Sequence, residues 1–397
     1  MNDVPTLACG AAVVALAVAG CRSHDRPAPP AQDAGGAASD PIAAVATRLD
    51  ADPPATARPP IAPPAGVVAM ADGYDKARRV ALGVMATRAH TADAVFAMAD
   101  RWNRAPEPLR RLGADARAGE VAALVAAGAA AAAAPAPSGD PAEFEAAAAA
   151  AVAHALALAE RGEADRAAWT LLAAAQMGFD IARGRRLYAA RHGLNAVRGA
   201  LAALRAVLTA SPPAEAGAVA DACDRLAAGQ PTVADALLAE TRWYERALVA
   251  GAGRGEPPPG WTDAARAEVE RLARAAGGVA AFARKLAEQR LVVADLRAPH
   301  RAGADRQRLV ARRRAAIWGA DHPWADPEDA GRWESARAEV AATCLVARRV
   351  AGRPAGPHGV NPVTGQPWLE VGGRLTGGTL IRHGTPEPVA IAIGTRP

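Results

Sequence analysis

The sequence predicts a mainly α-helical protein, an irregular helical bundle or α-solenoid-like body that ends in a small C-terminal β-meander. Three observations predict it. Between about residues 143 and 350 apolar side chains recur at steps of three and four, and the runs are interrupted by glycine and proline turns. Alanine, the best helix former, inflates the hydrophobic share to 51% while aromatics reach only 4%. Stability must then come from close approach of helix backbones rather than from large side chains, because each buried alanine removes little area from water. After Arg353 the pattern changes: glycine and proline clusters separate the short apolar segments WLEV, TLIR and VAIAI, a strand-and-turn signature.

The chain opens on LACGAAVVALAVAG, residues 7–20, an uncharged apolar run with the length of a secretory h-region. It is shorter than the roughly 18 residues a membrane-spanning helix needs, so residues 1–20 read as a signal peptide. The run closes on Val18, Ala19, Gly20 and Cys21, which resembles the bacterial lipobox. That resemblance implies a lipoprotein: the Cys21 thiol takes a diacylglyceryl group, palmitate being a typical acyl chain, and becomes the first residue after cleavage. Two or more acyl chains give the stable membrane anchoring that one does not. Arg22 and Ser23 lack the aspartate that retains many such proteins at the inner membrane, so the implied address is the cell envelope. In a diderm host it is the outer membrane, facing the periplasm. Residues 21–66, with paired prolines at 29–30, 53–54, 59–60 and 63–64, read as a disordered Pro/Ala-rich tether. A flexible chain of that length averages about 35–40 Å end to end.

Residues 67–135 form an N-terminal helical region, in which VVAMADGYDKARRVALGVMATRAHTADAVFAMADRW supplies one long or two short helices and VAALVAAGAAAAAAP is helix-compatible low complexity. PAPSGDP at 135–141 marks the internal boundary. The main helical domain, 136–350, carries helical runs at 143–160, 164–182, 185–208, 213–228, 231–249, 262–275, 278–296, 303–318 and 332–350. Their starts are irregular, which argues against a repeat array with a steady period. Residues 351–397 form the β element.

The net charge of +5 and a pI near 9.4 do not indicate nucleic acid. Only Lys76 and Lys285 are lysines, and the arginine bias beside so much Ala, Gly and Pro reflects base composition rather than a phosphate-binding stripe. The one local basic feature, RAGADRQRLVARRRAAIW at 301–318, places Arg306, Arg308, Arg312, Arg313 and Arg314 where they would contact an anionic surface of lipid or lipopolysaccharide phosphates, or would form a solvated helix face. Cys223 and Cys344 would form a disulfide outside the inner membrane or remain as two buried free thiols.

No constellation assigns chemistry. LIRHGTPEP, 380–388, resembles the L-V-R-H-G-x-T signature of histidine phosphatases, but in that family the motif opens the catalytic domain and here almost no chain follows His383. The eight histidines are scattered without metal-ligand spacing, and the chain has neither a phosphate loop nor a G-x-S-x-G elbow. No catalytic residue, metal or cofactor is assigned. NPVTGQPWLEV resembles the D-P-x-T-G-x-P tail of a set of mostly helical bacterial proteins known chiefly from planctomycete genomes, with Asn361 in place of the aspartate; LLAAAQMGFDIARGRRLYAARHGLNAVRGALAAL at 171–204 resembles their central stretch. The resemblance implies the fold and no activity. A second likeness is to the D-P-W-G-N-P turn of type II secretion pseudopilins. The expectation is a non-catalytic envelope lipoprotein with a helical binding or scaffolding body and an envelope protein as partner. The alternatives are a cell-wall hydrolase or phosphatase, and a secretion or pilus accessory subunit.

Overall fold

Several helices begin where the sequence places a side-chain acceptor. A computed structural model describes residues 40–52, 66–88, 91–131, 139–183, 187–297, 313, 315–318, 327–382 and 385–393. Asp40 caps α1 (Pro41–Asp50) by accepting from the Ile42 amide at 2.9 Å, and Asp140 caps α6 (Pro141–Glu160) from Ala142 at 3.1 Å. In both, proline occupies the first helical position, where its missing N–H costs nothing. Between them run α2 (Gly73–Arg88), α3 (Ala92–Phe96), α4 (Glu107–Ala114) and α5 (Ala116–Ala130), with Thr91 capping α3 and Asp115 capping α5. Next come α7 (Ala164–Ala182), α8 (Leu187–Ala210), α9 (Ala216–Ala228), α10 (Val233–Gly251), α11 (Asp263–Ala275), α12 (Val279–Arg297) and α13 (Pro327–Val350). Thr232 and Asp235 close a reciprocal capping box on α10, and Thr262 caps α11.

The main core is alanine laid against alanine. α6 packs against α2, α3, α4, α5, α7 and α8, and its residues from Ala147 to Ala151 are all fully buried. Among the described residues α6 is long and apolar enough to cross a membrane, yet that apolar surface is spent inside the bundle. A second, smaller core joins α1, α10, α11 and α12 around Tyr244, Phe282 and Leu286.

Three strands follow α13. β1 (Leu369–Val371), β2 (Arg374–Arg382) and β3 (Thr385–Ala392) form an antiparallel sheet in that order. Val371 pairs with Arg374 across Gly372 and Gly373, whose φ angles of 56° and 72° suit the two-residue hairpin turn that needs φ > 0 twice. Leu375, Val389 and Ile391 point inward and join the main core.

The mainly α architecture with a terminal β-meander is thus what the sequence patterns indicate, while two boundaries differ. The division at 135/136 falls inside one hydrophobic core. Tyr74 of α2 donates to Asp180 of α7 at 2.8 Å and Arg78 donates to Glu143 of α6 at 2.5 Å, so the N-terminal helices complete the bundle instead of forming a separate region. Within 21–66, the range read as a tether, Pro41–Asp50 is a helix. Ile42 and Val45 are buried on α10 and α12, because the helical spacing of Ile42, Val45, Ala46 and Leu49 supplies an apolar face that the flanking prolines obscure. The signal peptide, the rest of the tether, and the lipobox residues Val18, Ala19, Gly20 and Cys21 lie outside the described residues.

The C-terminal end of α1 is fixed by charge. Arg290 of α12 donates to Asp52 Oδ1 at 2.6 Å and Oδ2 at 2.8 Å, Arg242 donates to Asp52 at 2.7 Å, and Arg290 also engages the fully buried Glu245. Burial alone would raise the Asp52 carboxyl, but the hydrogen bonds and charges of Arg290 and Arg242 outweigh it and hold it far below the usual carboxylate range. A group depressed in the folded state stabilises above its unfolded pKa, about 3.9 for aspartate, and loses that stabilisation as pH falls toward the folded value. Acid unfolding of an Asp52→Asn variant is therefore expected to be less steep than wild type below about pH 4. Identical acid limbs in a pH series of circular dichroism melts would refute the linkage.

Candidate functional site

Two concave features among the described residues meet where the chain leaves α13 and turns into the sheet. Gly352, at φ 67°, ends the helix and a short 3-10 turn, Gly356–Gly359, follows. Its position is set by five polar side chains. Arg348 of α13 donates to both oxygens of Asp224 on α9, at 3.2 and 2.6 Å, and to the Pro354 carbonyl at 3.1 Å; Arg353 pairs with Asp221. His358 Nε2 lies 3.0 Å from Asp224 Oδ1. This imidazole is held below its usual pKa by desolvation, only partly offset by the Asp224 carboxylate.

Under that turn lie the two cysteines. The helices α9 and α13 pack together and bring Cys223 and Cys344 side by side, 121 residues apart in sequence. Both are free thiols and buried, and Cys344 Sγ donates to the Cys223 carbonyl at 3.2 Å. The Cys223 thiol beside it, and then burial, push the Cys344 thiol well above its usual range, so it is protonated and not poised as a nucleophile. Of the two arrangements open from sequence, buried free thiols and a disulfide, the structure holds the first. Asp224, Cys344 and His358 together present an oxygen, a sulfur and a nitrogen donor within 4.8 Å of one another. Asp224 and His358 border a cleft of about 410 Å³ that Arg337, Arg348 and Pro362 also line. No pairwise spacing in the sequence signals this convergence; the three residues come from three separate segments.

The second feature is the NPVTGQP turn. Asn361 is fully buried: its Nδ2 donates to the Gly377 carbonyl at 2.6 Å, its Oδ1 accepts from the Val363 amide at 3.0 Å, and its backbone N–H reaches Gln366 O at 2.8 Å. Thr364 Oγ1 donates to the same Gly377 carbonyl at 2.9 Å, and Gly365 takes φ 71°. An ionised aspartate at 361 has no donor for Gly377, so the asparagine suits this contact. Trp368 packs on Gly377, where an added Cβ would sit 2.9 Å from the ring. This turn and β2 enclose an open groove of about 710 Å³ floored by Val363, Thr364, Thr376 and Gly378. Beside it runs β1, which among the described residues pairs with β2 alone and leaves its outer edge without a strand partner. Leu369 and Val371, two residues apart and so on one face, are 64% and 62% exposed, and Val360 is exposed next to them.

Other sequence-derived sites fare unevenly. Arg306, Arg308, Arg312 and Arg314 lie outside the described residues, while Arg313 is half-exposed and ion-paired with Asp295 of α12. His383 also lies outside them. Arg382 before it pairs with Thr385 across two adjacent antiparallel strands, a setting unlike the first strand of a parallel sheet that the phosphatase signature requires. No protein-family model, curated protein or solved structure matches the chain.

Proposed function

We propose that the protein is a non-catalytic, lipid-anchored envelope component whose helical body is a scaffold and whose C-terminal β element is its binding end. The observation that carries this reading is the exposed apolar pair Leu369 and Val371 on an edge strand beside an open groove. Edge strands with exposed apolar residues are usually blunted or covered, and an extended segment of a partner can add to such an edge through main-chain hydrogen bonds. The element is also rigidly mounted: the Arg205 side chain donates to the Ala392 carbonyl at 2.8 Å, and Arg349 to Glu370 at 2.7 Å. A binding surface held in one geometry loses less entropy on association. This placement also favours, as a second reading, an accessory subunit of a secretion or pilus assembly recognised through its C-terminal end. The lipobox supports anchorage by Cys21.

The test compares wild type, Cys21→Ser and Leu369→Asp/Val371→Asp in cells fed labelled palmitate and then cross-linked. Wild type is expected to carry label and a reproducible cross-linked envelope partner. Cys21→Ser should lose label and membrane association, and the double aspartate variant should keep label and far-UV spectrum but lose the partner by about tenfold or more, since two charges would replace about 2–4 kcal/mol of apolar burial. Equal labelling of Cys21→Ser removes the anchor. An unchanged partner yield with the aspartate pair removes the binding end.

A further inference from the structure

We infer that Asp224, Cys344 and His358 form a binding site for a divalent cation of the zinc class, which ties the C-terminal element to the helical bundle. The donor set selects the ion. A thiol, an imidazole and a carboxylate suit borderline-soft zinc or cobalt, whereas magnesium and calcium take oxygen ligands. The geometry is near that of a four-coordinate site. His358 Nε2 and Asp224 Oδ1 are 3.0 Å apart, against about 3.3 Å for the edge of a tetrahedron with 2.0–2.1 Å metal bonds. All three donor atoms lie within 4.8 Å of one another, so closing on an ion requires about 1 Å of side-chain movement at Cys344, against edges of about 3.6 Å for a sulfur and a nitrogen ligand.

The surroundings fit a metal in two further respects. Arg348 holds Asp224 Oδ2 at 2.6 Å and Oδ1 at a longer 3.2 Å, which orients the carboxylate from outside and turns Oδ1, the oxygen beside His358, to the ion as its ligand atom. The charges also match: the Cys344 thiolate and the Asp224 carboxylate together balance the two positive charges of the ion. On binding, the Cys344 thiol releases its proton to solvent, and His358 carries its remaining ring proton on Nδ1. Nothing is oxidised or reduced. Because the ligands come from α9, α13 and the turn at Gly356–Gly359, the ion would bridge segments more than 100 residues apart and fix the chain three residues before the buried Asn361. This inference does not depend on the envelope reading.

The experiment is a cobalt titration of the full-length protein kept under a phosphine reductant, followed by zinc competition. One cobalt per chain is expected, with thiolate-to-cobalt charge-transfer absorption that zinc abolishes. His358→Gln, in a 3-10 turn outside the helices of the bundle, should keep the far-UV spectrum and weaken cobalt binding at least about tenfold, the loss that even outer partners of a metal ligand produce. Cys344→Ser should remove the charge-transfer band while far-UV circular dichroism stays helical. Absence of the band in the wild-type protein, or equal affinity in His358→Gln, overturns the site; a Cys344→Ser chain that misfolds leaves the decision to His358→Gln and the wild-type band.

Discussion

Replacing Arg205 by methionine is expected to destabilise the protein by about 3–5 kcal/mol, the range for removing one partner of a buried charge pair. Arg205 sits on α8 with only 3% of its surface exposed. Its guanidinium is shared among three partners on two segments: Nη2 lies 2.6 Å from Glu339 Oε2 and Nη1 donates to Thr343 Oγ1 at 2.8 Å, both on α13, and Nε donates to the Ala392 carbonyl at the end of β3. Thr209, one turn on, reaches the Ile393 carbonyl as well. Methionine keeps much of the volume but leaves the Glu339 carboxylate, 15% exposed, without its counter-ion and strips the last strand of a donor. Removing both charges should therefore cost less than removing one. In urea unfolding followed by circular dichroism, Arg205→Met is expected to lower the midpoint clearly, and Arg205→Met/Glu339→Leu to recover part of the loss. A single variant within about 1 kcal/mol of wild type would show that the contact is solvated and contributes as a surface pair does.

Much of this arrangement is legible in the sequence, and the exceptions share a cause. Helices read at 164–182 and 262–275 appear as Ala164–Ala182 and Asp263–Ala275, because each has a strong local stop: Gly162 at φ 81° before one, the proline-rich 251–260 stretch before the other. The meander is legible from its glycine pairs. What local pattern does not carry is partnership. α1 is ten residues long, too short to persist alone in water, and becomes a helix because α10 and α12 accept Ile42 and Val45. The Asp224, Cys344 and His358 cluster is invisible for a related reason: its members are brought together by the packing of α9 on α13, and loop closure over more than a hundred residues leaves no periodicity to read. The Cys-Asp pair at 223–224 is the one local hint, and two residue types alone specify no site.

Gly193→Ala is expected to destabilise by about 1–3 kcal/mol even though alanine is the better helix former by about 1 kcal/mol. The reason lies where α7 and α8 cross. A Cβ at position 193 would sit 2.4 Å from the Gly178 carbonyl oxygen and 2.9 Å from the Ala182 amide nitrogen; one at Gly178 would sit 2.6 Å from the Gly193 carbonyl oxygen and 2.8 Å from a Val197 methyl. Backbone atoms stand on both sides, so no rotamer change relieves the clash and the two helices must move apart. Separation would be felt through Leu171, Ala174, Ile181, Val197 and Leu201, all buried along the same pair of helices. Because this bundle draws its stability from close alanine and glycine contacts rather than from large side chains, a small increase in spacing forfeits many weak contacts at once. A control separates sterics from propensity. Gly251, at the last position of α10, has open space where a methyl would stand and an ordinary φ, so Gly251→Ala should be neutral or stabilising by about 0.4–1 kcal/mol. Gly178→Ala/Gly193→Ala should cost less than the sum of the singles, since the first separation of the helices makes room for the second methyl. Thermal melts of the four variants decide it: if Gly193→Ala and Gly251→Ala move the midpoint alike, backbone contact at the crossing is not what holds α7 to α8.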